Sequence, residues 1–305
     1  MDDGVIQWLI EGDASIQYQA FRDLRNEDRA DLQLRIPHVG WGKLYMDCQM
    51  ENGHWGKSFY QPKWTSTHYT LMDLRNLEMP PEVQSIREVI SKIAKEERGQ
   101  DGGIHPAGSV NLSDVCINGM FLNYASYFKS EPSDLQPAVD FILSQKMADG
   151  GFNCRLNRSG AVHSSLHTTL CVMEGICAYL SRQYLYRIQE LSRSLETCVE
   201  FLLQHRLYQS DRTGEIIHPA FLRLAFPGRW RYDILRALDC LRFAGFPKDA
   251  RMNPALDQVE KRRRKDGRWT CSKHPGQTHF EMESGRQPSR WNTLRALRVL
   301  NFYGR

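Results

Sequence analysis

QMENGHW, residues 49–55, is the stretch that decides the fold, because its second half returns along the chain. A polar residue, a glycine, any residue and a large apolar residue make up NGHW. The segments DGGI, DGGF, TGEI and DGRW follow the same pattern. A period of about 50 residues is typical of repeat proteins in which each unit is one supersecondary element. The repeated glycines are Gly53, Gly102, Gly150, Gly214 and Gly267.

Each glycine phrase is followed by an apolar run with helical spacing, such as HYTLMDL or WNTLRAL. An earlier copy, YQAFRDL, has no glycine phrase before it. Further amphipathic segments such as VQSIREVISKIAKEE lie between these runs, so each repeat is predicted to contain two helices. We call the first residues of the six runs the anchors: Tyr18, His68, Cys116, His167, Tyr232 and Trp291.

Six helical hairpins can form an open solenoid or a closed ring. An open solenoid needs polar faces on its end repeats, but the terminal segments IQYQAFRDL and WNTLRALRVLNFY both keep apolar faces. We therefore expect an all-α protein, an (α/α)6 toroid formed by residues 1–305 as a single domain. The anchors should lie at the starts of the six inner helices and surround one end of the central cavity.

Composition is that of an ordinary globular protein, with 41% hydrophobic and 25% charged residues among 305. No apolar run approaches the roughly 20 residues that a membrane span needs, and the acidic start MDDGVIQWLIEGD does not resemble a signal peptide. Eight cysteines without a C-x-x-C pattern predict reduced thiols and a cytoplasmic protein. The net charge of +4 does not indicate nucleic-acid binding. The sequence does not indicate an oligomeric state.

One dense basic run, KRRRK at 261–265, has two interpretations. It fits the solvated C-terminal end of a helix, where cations suit the helix dipole. Alternatively, it makes a peripheral contact with acidic lipid headgroups or with a protein partner.

Gln49, Gly53 and Trp55 complete the pattern Q-x-x-x-G-x-W. Repeated around a double ring of helices, this pattern resembles the squalene/hopene cyclases and the β-subunits of protein prenyltransferases. The resemblance implies the toroid and a structural role for Gln49 and Trp55 in joining outer to inner helices. The cyclases use an acid in a D-x-D-D motif, which this sequence lacks. The prenyltransferase β-subunits instead hold a zinc ion with an Asp, a Cys two residues later and a His on a later inner helix.

Asp114, Cys116 and His167 match that order, so the resemblance implies a zinc site with one open position. His68 is a fourth ligand or a substrate contact, and His163 competes with His167 for the ligand role. The pair at 114 and 116 can converge if Asp114 is the N-cap of a helix, whose N-terminus also lowers the pKa of a thiol. The alternative is that Cys116 is a buried core thiol and Asp114 an ordinary helix start.

The substrate is expected to be an apolar small molecule or peptide, possibly an isoprenoid. Aromatic rings near the anchors can line an apolar pocket, and Arg231 can hold an anionic group. Tyr232 and Glu281 are the candidate catalytic residues, the latter on a long loop at 278–291. The aromatic candidates for substrate binding are Trp64, Trp230 and Trp291.

These features together predict a zinc-dependent enzyme similar to prenyltransferases or terpene cyclases. Two departures from the prenyltransferase pattern remain. The α-subunit that those enzymes need is not encoded here, and no convincing cluster for a prenyl diphosphate is present. A non-catalytic toroid that binds a protein or lipid partner is the alternative.

Overall fold

The computed structural model describes residues 3–106, 112–155, 159–272, 276–283, 285 and 287–305. This part of the chain is mostly helical, with one short antiparallel pair, β1 (Trp269–Thr270) and β2 (Pro288–Ser289). Among these residues, no helix combines the length and the apolar character that crossing a membrane requires. The α-helices are α1 (Asp3–Ile10), α2 (Ala14–Ala20), α3 (Ala30–Arg35), α4 (Gly40–Asp47), α5 (Thr67–Asn76), α6 (Gln84–Glu96), α7 (Val115–Tyr127), α8 (Pro132–Ser144), α9 (Leu166–Ser181), α10 (Ile188–Gln204), α11 (Ile234–Phe243), α12 (Asn253–Glu260) and α13 (Arg290–Phe302).

Single turns of other helix types connect several of these elements. The segment Phe21–Arg25 is a π-helix that continues α2. The 3-10 helices are Ile36–His38, Lys63–Thr65, Pro219–Leu222 and Ala250–Met252.

The repeated glycine phrase forms a repeated tight turn. All five of its glycines have φ between +72° and +91°, a left-handed conformation that residues with a Cβ adopt only under strain. The period seen in the sequence therefore has a backbone cause.

A repeated hydrogen bond joins each of four glycine phrases to the helix that follows it. The backbone N–H of the last, apolar residue of the phrase donates to a side-chain oxygen near the start of that helix. Because the same bond recurs, these repeats share one local structure. The donor–acceptor pairs, at 2.7–3.0 Å, are Trp55–Thr67, Ile104–Asn118, Phe152–Thr169 and Trp269–Thr293.

Two buried indoles add a second contact of the same kind. Trp55 Nε1 donates to the carbonyl of Tyr45 in α4 at 2.7 Å, and Trp269 Nε1 donates to Val259 in α12 at 2.8 Å. Each indole thus ties its turn to the helix that precedes it. Gln49 Nε2 donates to the Gly53 carbonyl at 2.9 Å and holds the turn itself.

Most anchors lie at a helix start. His68, Cys116, His167 and Trp291 are each the second residue of their helix, and Tyr232 precedes α11 by two residues. Tyr18 differs from the prediction, because Asp13 caps α2 by accepting from the Ser15 N–H at 2.9 Å. The helix therefore begins earlier, and Tyr18 is its fifth residue.

The helices that carry the anchors contact one another in chain order. Helix α5 packs on α7, α7 on α9, α9 on α11 and α11 on α13. The last helix, α13, returns to α2, where Arg298 pairs with Asp23 at 2.8 Å. Gln19 of α2 donates to the Asn76 carbonyl at the end of α5, at 3.1 Å.

The closest helix crossing lies between α7 and α9. A Cβ added at Gly119 would come within 2.7 Å of the backbone of Cys171 and Val172, and one at Gly175 within 2.4 Å of the Gly119 carbonyl. Both positions therefore require glycine, because the two backbones are in direct contact.

The basic run at 261–265 begins where α12 ends. Lys261 is the C-cap of that helix, and Arg262 Nη1 donates to the Gln258 carbonyl at 2.6 Å. This location agrees with the helix-end interpretation. Peripheral contact with a membrane or a partner stays a prediction.

Candidate functional site

An open pocket of about 670 Å3 lies beside the start of α9 and the segment that leads into α11. Its walls carry imidazoles, guanidiniums, a carboxyl and a hydroxyl among a larger share of apolar surface. Such a pocket is within the usual size range for small-molecule ligands. The lining residues are His167, His218, Ala220, Arg223, Ala225, Gly228, Arg231, Tyr232, Asp233, Ser272 and Gly276.

His167 is fixed in this wall by one hydrogen bond and two rings. Its Nδ1 accepts from the Tyr232 backbone N–H at 2.8 Å, while Phe221 and Trp230 meet its ring edge-on at 5.3 and 5.1 Å between centroids. Burial, then the charges of Arg236 and Arg231, lowers the pKa of His167 to about 4. The imidazole is therefore neutral at pH 7. With Nδ1 as acceptor, its proton is on Nε2.

Asp233 is the buried carboxyl of the same wall. As N-cap of α11, it accepts from the Arg236 N–H at 2.8 Å. Burial raises its pKa, although the charge of Arg295 and the backbone donor at Arg236 oppose the shift. A neutral imidazole and a carboxyl with a raised pKa in one pocket are an arrangement that acid–base catalysis uses.

Two arginines supply positive charge to the pocket. The Arg231 guanidinium lies over the Trp230 ring at 5.0 Å. Its Nε is buried and has no hydrogen-bond partner in the described part of the chain. Arg223 is exposed at the rim. His218 is also exposed, and its Nδ1 accepts from the Ala220 N–H at 3.0 Å.

The four predicted zinc ligands are not brought together. His167 turns its Nδ1 to Tyr232, as described above. His68 is fully buried among Phe59, Tyr69 and Tyr124, and its Nδ1 lies 3.3 Å from the Tyr124 hydroxyl. Burial, then Arg229, lowers the pKa of His68 to about 3.

Cys116 has a different neighbour, the thiol of Cys154. The two thiols form a hydrogen bond, and the Cys116 backbone N–H donates to Cys154 Sγ at 3.1 Å. These donors, together with the Thr168 hydroxyl, lower the pKa of Cys154 although burial opposes them, whereas the pKa of Cys116 is raised. Asp114 is the N-cap residue of α7, as predicted, and its side chain does not cap that helix.

In the residues that the structure describes, no three His, Cys, Asp or Glu side chains are grouped so that they could hold a metal ion. The Tyr232 N–H binds His167 and aromatic rings surround His68, and the expected set of Asp114, Cys116, His167 and His68 stays a prediction. His163 is exposed and does not complete the set. These residues do not fit a zinc ion, and zinc binding stays a prediction without a ligand group.

The two predicted catalytic residues lie apart. The Tyr232 hydroxyl is buried and donates to the Leu207 carbonyl, so it does not face the pocket and is not retained as a catalytic candidate. Glu281 is exposed on its loop. Its neighbour Glu283 has a structural contact instead, because its Oε1 accepts from the Arg290 N–H at 2.7 Å at the start of α13.

The predicted substrate-binding aromatics support walls and do not line this pocket. Trp291 is buried and stacked with Phe226 at 4.4 Å and Trp41 at 5.8 Å. Trp64 lies directly behind Gly276, whose added Cβ would be 2.7 Å from the indole. Trp230 packs against His167, and only Arg231 of this group lines the pocket.

The sequence reasoning did not identify Asp233, Arg223 or His218. Asp233 had a signal in the sequence, since an Asp directly before an apolar run is a usual N-cap. Arg223 and His218 lie in an irregular connection whose path the repeat does not predict.

Neither the protein-family models nor the curated proteins contain a match to this sequence. Among solved structures, the chain is similar to a polysaccharide lyase, with 11% sequence identity and a TM-score of 0.55. The match covers 98% of this chain and 96% of the lyase. At this identity the similarity shows a shared helical fold.

Proposed function

We propose that the protein is a carbohydrate-active enzyme that cleaves an anionic polysaccharide by elimination in the pocket beside His167. The observation that carries this proposal is that a neutral imidazole, the buried carboxyl of Asp233 and the guanidinium of Arg231 line one pocket. The fold similarity to a polysaccharide lyase over nearly the full length of both chains supports this reaction class.

We also infer that the helix order is that of the (α/α)6 toroid, with residues 1–305 as one domain. The contacts run from α5 to α13 in chain order, and α13 then packs on α2. Such an order is what a closed ring of inner helices requires. The pocket then lies at the end of the ring where the inner helices start, since His167 and Asp233 are at the first turns of α9 and α11.

Each residue has a distinct part in the proposed elimination. Arg231, whose buried Nε has no protein partner among the described residues, holds a carboxylate of the sugar. The Nε2–H of His167 donates to the same carboxylate, on which negative charge develops as the neighbouring C–H bond breaks. The carboxylate of Asp233 accepts the proton released from that C–H bond.

The remaining steps balance the reaction. The electrons of the C–H bond form a carbon–carbon double bond, and the glycosidic C–O bond breaks with its electron pair on the leaving oxygen. The protonated Asp233 carboxyl then returns its proton to that oxygen, so neither water nor an oxidant is consumed.

The expectation of an apolar, isoprenoid substrate fits this pocket less well. His167, Arg223, Arg231 and Asp233 place charged and hydrogen-bonding groups in a wall that is otherwise apolar, and Trp64 lies behind Gly276. Burying an isoprenoid there would desolvate charged groups without giving them partners.

The test is turnover of a panel of acidic polysaccharides, followed by the ultraviolet absorbance of the new double bond conjugated with the carboxylate. Asp233→Asn keeps an equally good N-cap and removes the proton acceptor, so activity should fall by roughly 10²–10⁴-fold. His167→Gln should cost roughly 10²–10³-fold through the lost donor.

Two matched variants control for general damage. Asp249→Asn changes another capping carboxylate, which accepts from the Arg251 N–H at 2.8 Å, and His163→Gln changes an exposed imidazole. Both should keep full activity. Binding of the polysaccharide without any cleavage would contradict the enzyme and favour the non-catalytic alternative.

A further inference from the structure

A second, smaller cavity is lined by residues of α2, α5, α7, α9, α11 and α13 and by the segment at 226–229. Its volume is about 100 Å3, well above the ~10–15 Å3 that one water needs. Seven arginines line it, against three carboxylates. It is much smaller than the His167 pocket, and its size and charge suit one small oxyanion.

The ion pairs around this cavity do not neutralise all of its positive charge. Asp239 is shared by three arginines, Arg298, Arg242 and Arg295. Burial alone would raise the pKa of Asp239, but the charges of Arg298 and Arg242 outweigh it and hold the pKa well below the usual range. One carboxylate is therefore shared by three guanidiniums, of which Arg298 also pairs with Asp23.

Glu78 is shared in the same way. Arg22 approaches it at 3.2 Å and Arg75 at 3.9 Å, while Asp23 lies between Arg22 and Arg298, at 2.7 and 2.8 Å. Arg236 and Glu174 form a further ion pair, at 2.6 Å.

Two of the arginines are poorly compensated although they are buried. Arg295 reaches Asp239 at 3.8 Å and Asn292 at 3.4 Å, with 8% of its side chain exposed, and its charge also lowers the pKa of Asp233 against the effect of burial. Arg229 donates to the carbonyls of Trp64 and Gln277, and its Nε has no partner in the described ranges. Asp73 is the acidic group whose pKa responds to Arg229, but no ion pair joins the two among the described residues. Buried charges without partners are costly.

We propose that this cavity binds a small oxyanion of the phosphate or sulfate class, held by guanidiniums that include Arg295 and Arg229. Planar guanidiniums bind such groups with paired hydrogen bonds. The site is separate from the His167 pocket, although Gly228 contributes to both walls. It does not depend on the proposed lyase activity.

The test uses the full chain, purified and dialysed without phosphate or sulfate. Calorimetric titration with inorganic phosphate, and separately with sulfate, should show one site per chain, and either ion should raise the melting temperature above that in sodium chloride of equal ionic strength. Binding of only one of the two ions would show whether the site takes phosphate or sulfate. Ion chromatography of the denatured, undialysed protein would detect a resident anion.

Arg295→Gln should weaken binding of the anion at least tenfold, because it removes a guanidinium whose contacts with other side chains are long and which is therefore available to the anion. Arg193→Gln removes the same charge from the exposed face of α10 and should leave binding unchanged. If Arg295→Gln does not fold, Arg295→Lys keeps the charge without the paired donors and should still weaken binding severalfold.

The absence of binding heat and of any shift beyond that in chloride would overturn the proposal. That result would mean that the partial negative charge of the helix C-termini already balances the arginines. Equal binding by the wild type and the Arg295 variant would overturn it too.

Discussion

His68 and His167 hold the same place in two repeats, yet their surroundings differ. Each is the second residue of its helix, and burial keeps each imidazole neutral. The segment before α5 folds back over His68, and the backbone N–H of His68 donates to the Phe59 carbonyl at 2.9 Å. His167 instead borders an open pocket. The connections that cover a repeat, and not the repeat position, decide whether its anchor can meet a ligand.

The comparison predicts that the two positions fail in different ways. His68→Ala leaves a cavity in a fully buried aromatic cluster and should lower the free energy of unfolding by roughly 2–4 kcal/mol. His167→Ala should cost less stability, since its ring is only partly buried, while removing the proposed activity. Denaturant unfolding measured beside turnover separates the two. A larger loss of stability at His167 than at His68 would reverse the comparison.

The pH dependence of stability sharpens the comparison. Both imidazoles have a pKa below the ordinary 6.5, about 3 for His68 and about 4 for His167. Below pH 6.5 the unfolded chain therefore binds more protons than the folded protein. The stabilisation that each neutral imidazole contributes is complete above pH 6.5 and is lost as the pH falls through the pKa of that imidazole in the folded protein. The slope for one group is at most about 1.4 kcal/mol per pH unit.

His68→Phe should remove one such slope between pH 6.5 and 4, as seen in urea unfolding at several pH values. His163→Gln is the control, because that imidazole is exposed. An unchanged slope in His68→Phe would mean that His68 is protonated in the folded protein.

The smallest effect is expected from metal removal. Because the described residues contain no group of three His, Cys, Asp or Glu side chains that could hold a metal ion, chelator treatment should leave the melting temperature unchanged. Thermal melting and zinc analysis of protein purified with and without chelator check this. Stoichiometric zinc, with a melting temperature that falls on its removal, would contradict the separation of these residues.

The helical class and the turn chemistry were predictable from the sequence, because a left-handed turn selects glycine and leaves a visible period. The structural role of Trp55 was predictable for the same reason, since its indole contact recurs at Trp269. These features depend on residues that are close in sequence.

The site was less predictable, because it depends on which irregular segment covers which anchor. Cys116 lies next to Cys154, 38 residues away in another repeat, and no local pattern indicates that contact. The arginines of the small cavity are spread from Arg22 to Arg298, so only the packed helices reveal their excess over carboxylates.

The contact between Arg298 and Asp23 joins positions 275 residues apart. Each turn with its repeated hydrogen bond can form locally, and closing a loop of that length costs entropy that the packing of the helices offsets. The closing contact therefore belongs to the end of folding, after the hairpins have formed. A chain stopped before α13 would expose the apolar faces of α2 and α11, so an incompletely synthesised or refolding chain is prone to self-association until its last helix arrives.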